Sequence, residues 1–257
     1  MYQNNVLCDL FIGKGAGKKM LTEIGEAKKS VKIISPFLSA SLIWELIVLK
    51  RKGIDVELVT TDAIIDNTEH SIGTFKHLIS QKKVYDKKAE KLKNFLVAVD
   101  KITWLFFVIF LLGAIFLKVQ PHPYFKFAIA GTILSFCLGI SLKLKLGKLK
   151  VFDYHYEPIF PLKLLIAPEN ADFPIKTYIH SKVYIIDDEV MYWGSLNFTA
   201  MGTQDNYETR IRTVDTAAIS KMLEEFDYLM KSSKLPTRNM NYWGNMIYFQ
   251  SSSQDAD

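Results

Sequence analysis

Two uninterrupted apolar runs interrupt a chain whose other hydrophobic residues alternate with polar ones. Ile102–Leu117 and Phe127–Leu142 contain no charged residue and are apolar all round. Lys118 and Lys126 stand at their facing ends, with Gln-Pro-His-Pro between. Each run is slightly short of the roughly 20 residues that cross a bilayer, and lysines at the ends lengthen a span by snorkelling. The pattern predicts a membrane hairpin over residues 99–146; a pair of core helices would show one apolar stripe each. Outside it, short apolar runs predict strands at Val6–Ile12, Val31–Ser35, Asp55–Thr60, Leu162–Ile166, Tyr178–Ile186, Val190–Trp193 and Tyr207–Thr213. Helical spacing predicts a helix around Met20, Leu21, Ile24 and Ala27, a second from Ser41 to Lys52 stopped by Gly53, and a third over Ala217–Lys231. Glu69 to Lys93 reads as a long polar helix leading into the first span.

Strands alternating with helices give an α/β class. The link at Asp187-Asp188 is too short for a parallel crossover, so the sheet is mixed. The expected organisation is a soluble half at 1–98, the hairpin at 99–146, a second soluble half at 147–232 and a tail at 233–257 whose last residues, Ser251–Asp257, read as disordered.

With 49% apolar and 23% charged residues over 257 positions, the chain is rich enough in apolar residues to fold. Two distant cysteines, Cys8 and Cys137, exclude a disulfide scaffold and a cysteine-built zinc site and suit a reducing compartment. The N-terminus lacks the basic start and apolar run of a secretory signal. The net charge of +5 invites a nucleic-acid reading, but Lys101, Lys118, Lys126, Lys143 and Lys145 against Asp100 place four of those charges in the hairpin segment. Lysines crowd the outer ends of the two runs, seven from Lys82 to Lys101 and four from Lys143 to Lys150, which predicts a two-pass protein of the inner (cytoplasmic) membrane with both termini and the soluble domain cytoplasmic.

Gly13-Lys14-Gly15-Ala16-Gly17-Lys18 has the look of a phosphate loop, but its first glycine is one position late and Lys19 replaces the needed Ser or Thr. It reads as a turn before a helix. The informative stretch is His180-Ser181-Lys182, then Asp187, then Gly194-Ser195-Leu196-Asn197. Residues two apart on a strand share a face, so an imidazole and an ammonium point together. One can attack phosphorus while the other neutralises phosphoryl oxygens. Gly194 permits close backbone approach; Ser195 and Asn197 offer donors, and an antiparallel return would bring them beside His180.

This pattern resembles the phospholipase D superfamily, whose signature runs His-x-Lys-x(4)-Asp-x(6)-Gly-Ser-x-x-Asn. His180, Lys182, Asp187, Gly194, Ser195 and Asn197 match it, except that the chain has Gly-Ser-x-Asn after the glycine. Val31–Ser39 with Lys52–Thr60 resembles the family's N-terminal half, and Asn206-Tyr-Glu208 its acidic element after the motif. The resemblance implies a phospholipase D-like mixed sheet flanked by helices and interrupted by the hairpin. It also implies a catalytic set of His180, Lys182, Ser195, Asn197 and Glu208, with Asp187 and Gly194 structural in the motif, and no cofactor or metal.

The chain holds one such motif, like the endonuclease and mitochondrial-surface branches that complete their site as homodimers. In-line displacement needs a nucleophile on one side of phosphorus and an acid on the other, so His180 of a second copy is expected to serve as the acid. Three readings follow: a membrane-tethered nuclease, slightly favoured; a phospholipase D or cardiolipin-type hydrolase; and a silent membrane scaffold, which the intact motif opposes. A basic groove beside His180 would favour nucleic acid as partner, and a hydrophobic rim phospholipid. His70 and His77 read as a helix surface, and Tyr242, Trp243, Tyr248 and Phe249 as residues of the membrane interface or of domain packing.

Overall fold

The computed structural model describes residues 3–64, 76–119, 122–174 and 178–254, with side chains to residue 248. It divides into two units, Met1–Gln81 with Tyr156–Asp257, and Lys82–His155.

The first unit is built on a seven-stranded mixed sheet. Its strands are β1 (Asp9–Lys14), β2 (Ser30–Ile34), β3 (Asp55–Thr61), β6 (Leu162–Leu165), β7 (Val183–Ile186), β8 (Val190–Gly194) and β9 (Tyr207–Thr213). Their spatial order is β1-β9-β8-β7-β2-β3-β6. β2, β3 and β6 run parallel, and β7, β8, β9 and β1 follow in antiparallel pairs. Helix α1 (Lys18–Gly25) buries Met20 and Ile24, and α2 (Ala40–Arg51) buries Leu42, Ile43, Leu46, Ile47 and Leu49. Both pack on the sheet face that carries Val31, Ile33, Val56, Leu58, Tyr184 and Tyr192. The other face, with Ile34, Val59, Val183, Ile185 and Met191, is covered by a helix at Thr216–Lys231 through Ala218, Ile219 and Phe226. The Asp215 carboxylate caps that helix by accepting from the Ala218 amide at 2.9 Å. A last helix, Met240–Gln254, buries Trp243 and Ile247 in the core, so the C-terminal aromatics Trp243 and Tyr248 belong to domain packing. It also makes residues 251–254 helical where the sequence reads as disordered.

The second unit holds two long helices, Lys87–Val119 of 33 residues and Phe125–Lys148 of 24. At 1.5 Å per residue they measure about 50 and 36 Å. Each is long and apolar enough to cross a membrane. Phe106, Leu112, Phe116, Phe127 and Leu134 lie exposed on their outer faces. Gly131 lets the pair approach: a Cβ there would stand 2.7 Å from the Phe110 ring.

The polar helix expected over Glu69–Lys93 is corrected in its second half. Ile79–Tyr85 is a strand, β4, paired with β5 (Phe152–Pro158) in a separate two-stranded sheet. The pairing wins because Lys83 sets its ammonium 3.7 Å from the Phe152 ring centroid and the Asp86 amide donates to the Val151 carbonyl. The helix starts only at Lys87, after the Asp86 carboxylate accepts from the Lys88 and Ala89 amides. His70 lies outside the described residues. His77 follows in a turn, its ring against Trp44.

Candidate active site

The hairpin β7–β8 fixes the frame of the site. Its three-residue turn, Asp187 to Glu189, places Asp187 and Asp188 at φ of 55° and 59°, a conformation acidic residues tolerate better than most. The Asp187 carboxylate leaves the turn and accepts from the backbone amides of Lys28, Lys29 and Ser30 at 2.6–3.1 Å. Burial alone would raise its pKa, but these amides and the Lys29 ammonium hold it below the ordinary value. Asp187 thus ties the hairpin to the start of β2 at the end of the sheet remote from His180.

At the other end, the regular strand is shorter than the sequence suggests. Pairing ends at Val183, opposite Ile34 on one side and Trp193 on the other. Beyond it only the Lys182 carbonyl is bonded, by the Gly194 amide at 3.4 Å. His180 and Lys182 therefore lie just off the strand, yet they meet. The Lys182 ammonium stands 2.9 Å from His180 Nδ1 and 3.2 Å from Nε2, and donates to the His180 carbonyl at 2.7 Å. An ammonium has only donors, so the imidazole nitrogen facing it presents its lone pair. Lys182 is 5% exposed, while His180 is exposed. Burial lowers the Lys182 pKa, and the Glu208 carboxylate opposes that shift. No described carboxylate lies within ion-pair reach of the ammonium.

Gly194 brings β8 against β9. A Cβ there would sit 2.0 Å from the Thr209 carbonyl oxygen, so only glycine lets the Ser195 amide donate to that oxygen at 3.0 Å. Ser195 Oγ then donates to the Glu208 carboxylate and accepts from the Thr209 amide. Asn206 Nδ2 donates to the other Glu208 oxygen at 3.3 Å. The structure thus makes two couples, His180 with Lys182 and Ser195 with Glu208, linked through the field of Glu208 on Lys182. The described contacts of Glu208 go to Ser195 and Asn206 rather than to a histidine. Asn197 is half-buried, and its Oδ1 is buried without a partner.

Three residues that the sequence reading passed over hold this loop. Tyr184, fully buried, donates its hydroxyl to the Leu196 carbonyl at 2.8 Å. Burial pushes its pKa up. Ser35 Oγ accepts from the Phe198 amide at 3.0 Å and donates to the Phe37 carbonyl. Ser39 Oγ accepts from the Ala200 amide. Alternation put Tyr184 on the same side as His180 and Lys182, which was its one available signal. Of Gly13–Lys18, Gly13 and Lys14 end β1 and Gly15–Gly17 form the turn before α1, the Gly17 amide donating to the Thr203 carbonyl. Among the described residues no cluster of three or more His, Cys, Asp or Glu has metal-binding geometry.

Residues 161–230, which carry both couples, match the family described as cardiolipin synthase, PLD-like domain. Over this stretch, about a quarter of the chain, the protein is similar to a phospholipase D-like domain. Solved structures similar to it include a phospholipase D family member, Nuc, from Salmonella typhimurium (16% identity, 86% of this chain and 93% of that one, TM-score 0.43). NucT from Helicobacter pylori is similar over 89% of this chain and 98% of that one (15% identity, TM-score 0.41). Phosphatidylserine synthase from Haemophilus influenzae is similar over 98% of this chain but 47% of its own length (10% identity, TM-score 0.41). No curated protein matches the chain.

Proposed function

We propose that the protein is a membrane-anchored phosphodiesterase that works through a phosphohistidine at His180, in a site completed by His180 of a second copy. The observation that carries this reading is the 2.9 Å contact between a buried ammonium and an exposed imidazole. A phosphodiester entering the site offers Lys182 better acceptors than a neutral ring. As the ammonium turns to the phosphoryl oxygens, the imidazole lone pair is freed for attack. The nitrogen–phosphorus bond forms as the ester bond to the leaving oxygen breaks, and the second imidazole protonates that oxygen. Water then attacks phosphorus, giving up its proton to the second imidazole, and the first is released. Asn197 Nδ2 donates to a phosphoryl oxygen, Ser195 turns its one hydroxyl proton from Glu208 to another, and Glu208 strengthens the charge on Lys182.

The soluble surface supports phospholipid over nucleic acid as substrate. Phe37, Phe173 and Met201, on three loops at the His180 end of the sheet, are 36%, 53% and 66% exposed. The same loops carry Glu169, Asp172 and Asp205 rather than a row of cations, which opposes a phosphate backbone. The family description names a lipid enzyme, and two membrane-length helices in the same chain keep a bilayer at hand. The test is turnover of phosphatidylglycerol and cardiolipin, beside labelled single-stranded DNA and RNA, by protein in nanodiscs with excess EDTA. Lipid cleavage lost in His180→Ala is the expected result. Cleavage of nucleic acid alone would return the nuclease reading, and equal turnover by His180→Ala would end both.

A further inference from the structure

The second unit carries the densest positive charge of the chain, at one end of its helix pair. Residues 87–101 of the first long helix and 143–150, at and just past the end of the second, hold nine lysines against two carboxylates, Glu90 and Asp100. The other end of the pair has only Lys118 and Lys126. Lys88, Lys91, Lys101, Lys145 and Lys148 are exposed, and none of them is ion-paired among the described residues. Lys143 is engaged, its ammonium 4.8 Å from the Trp104 ring centroid. A solvated helix face would surround such lysines with polar side chains. Here Leu92, Phe95 and Leu144 stand among them at 48%, 65% and 63% exposed.

Their height on the helices decides what covers them. Gly131 lies against the Phe110 ring and Gly139 against the Trp104 ring, which fixes the antiparallel register. That register sets Lys145 and Lys148 level with residues 95–98 of the first helix. The charge-free run Ile102–Leu117 rises about 24 Å, where the hydrocarbon of a bilayer is about 30 Å thick. Lys118 closes the run at its far end, so the missing turn comes from the near end, where Phe95–Val99 are again apolar. Asp100 and Lys101 lie within that turn, and Lys101 reaches outward by snorkelling. The headgroup layer, about 6 Å deep, then falls on Lys91, Leu92, Phe95, Lys145 and Lys148.

We infer that this collar binds the headgroups of anionic phospholipids, its lysines on their phosphates and its three apolar side chains among the upper acyl carbons. The inference rests on the membrane-anchored part of the proposed function and not on its chemistry. Clustered lysines beside a span attract anionic lipid, each adding to the affinity within a screening length. Nucleic acid offers phosphates too, but it leaves Leu92, Phe95 and Leu144 uncovered, whereas a bilayer edge covers lysines and apolar side chains together. The protein therefore gathers a ring of anionic lipid around its hairpin.

The test uses the full chain in nanodiscs, with Cys8→Ser and Cys137→Ser as background and a fluorophore on Asn94→Cys, beside the collar. Quenching by spin-labelled phosphatidylglycerol is compared with quenching by spin-labelled phosphatidylcholine. The inference expects the anionic lipid to be favoured at least about 5-fold at low salt. High salt should bring that ratio near one, and so should Lys88→Gln, Lys91→Gln, Lys145→Gln and Lys148→Gln together. Lys118→Gln with Lys126→Gln, at the other end of the pair, should leave it unchanged. Equal quenching by the two lipids, or a preference that survives the four substitutions, overturns the inference. So does single-stranded DNA or RNA that displaces phosphatidylglycerol from the probe. Release of the protein from vesicles by alkaline carbonate refutes the anchoring on which the inference rests. A lipid preference without phosphodiester turnover upholds the collar and refutes the proposed activity.

Discussion

Replacing Asp187 separates a residue that holds the site in place from one that takes part in its chemistry. Its carboxylate accepts three backbone amides, with the Lys29 amide at 2.6 Å. Hydrogen bonds to a charged group contribute about 1.5–3 kcal/mol each in net terms when well shielded. The side chain is part-exposed and water can replace some of them, so Asp187→Ala is expected to cost about 2–4 kcal/mol. Part of that is the φ of 55°, which alanine adopts less readily than aspartate. At 2–4 °C per kcal/mol for a chain of this size, the melting temperature of detergent-solubilised protein should fall by about 4–16 °C. Asp187→Asn keeps the turn and an acceptor oxygen and should lose about 1 kcal/mol. The folded pKa is depressed, so the stabilisation is present above the unfolded carboxylate value and is lost as pH falls through the folded one. The gap between wild type and Asp187→Asn should therefore be full at pH 7 and close below about pH 4. Turnover by Asp187→Asn, measured well below its melting temperature, should stay near wild type. An unchanged melting temperature in Asp187→Ala, or lost turnover in a fully folded Asp187→Asn, would refute the assignment.

Gly194→Ala puts a methyl group 2.0 Å from the Thr209 carbonyl; it should cost about 3 kcal/mol or more and abolish turnover, read by melting and activity together. Tyr184→Phe removes the buried bond to the Leu196 carbonyl and should cost about 1–2 kcal/mol, with kcat falling while KM changes little. In the proposed reaction Lys182 acts as an ammonium, and burial lowers its pKa. Activity should therefore fall on the alkaline side at a lower pH than a free lysine would allow, and Lys182→Arg should move that limb upward in whatever activity it retains.

Much of this was legible in the sequence because the decisive signals are local. His180, Lys182, Asp187, Gly194 and Ser195 sit within one hairpin, where strand alternation and a short acidic turn fix their relations. The parallel pair Val31–Ser35 and Asp55–Thr60 was readable from apolar runs around an amphipathic helix. The errors arose where partners are distant. Gln81, Lys82 and Lys83 favour a helix locally, but Phe152–Pro158, some seventy residues on in the chain, pairs with them as a strand. The strand drawn from Tyr178 loses its first half because β2 ends at Ile34 and offers nothing to pair with. The roles of Tyr184, Ser35 and Ser39 come from loop-to-loop contacts up to 163 residues apart, which no local pattern records.

The central claim is the covalent intermediate on His180. The direct measurement is rapid quenching of the protein with a substrate carrying radiolabelled phosphorus, in excess EDTA, followed by peptide mapping. The account predicts a phosphoenzyme stable to alkali and labile to acid, located at His180 and absent in His180→Ala. Steady turnover with no such adduct, or the label on another residue, would contradict it.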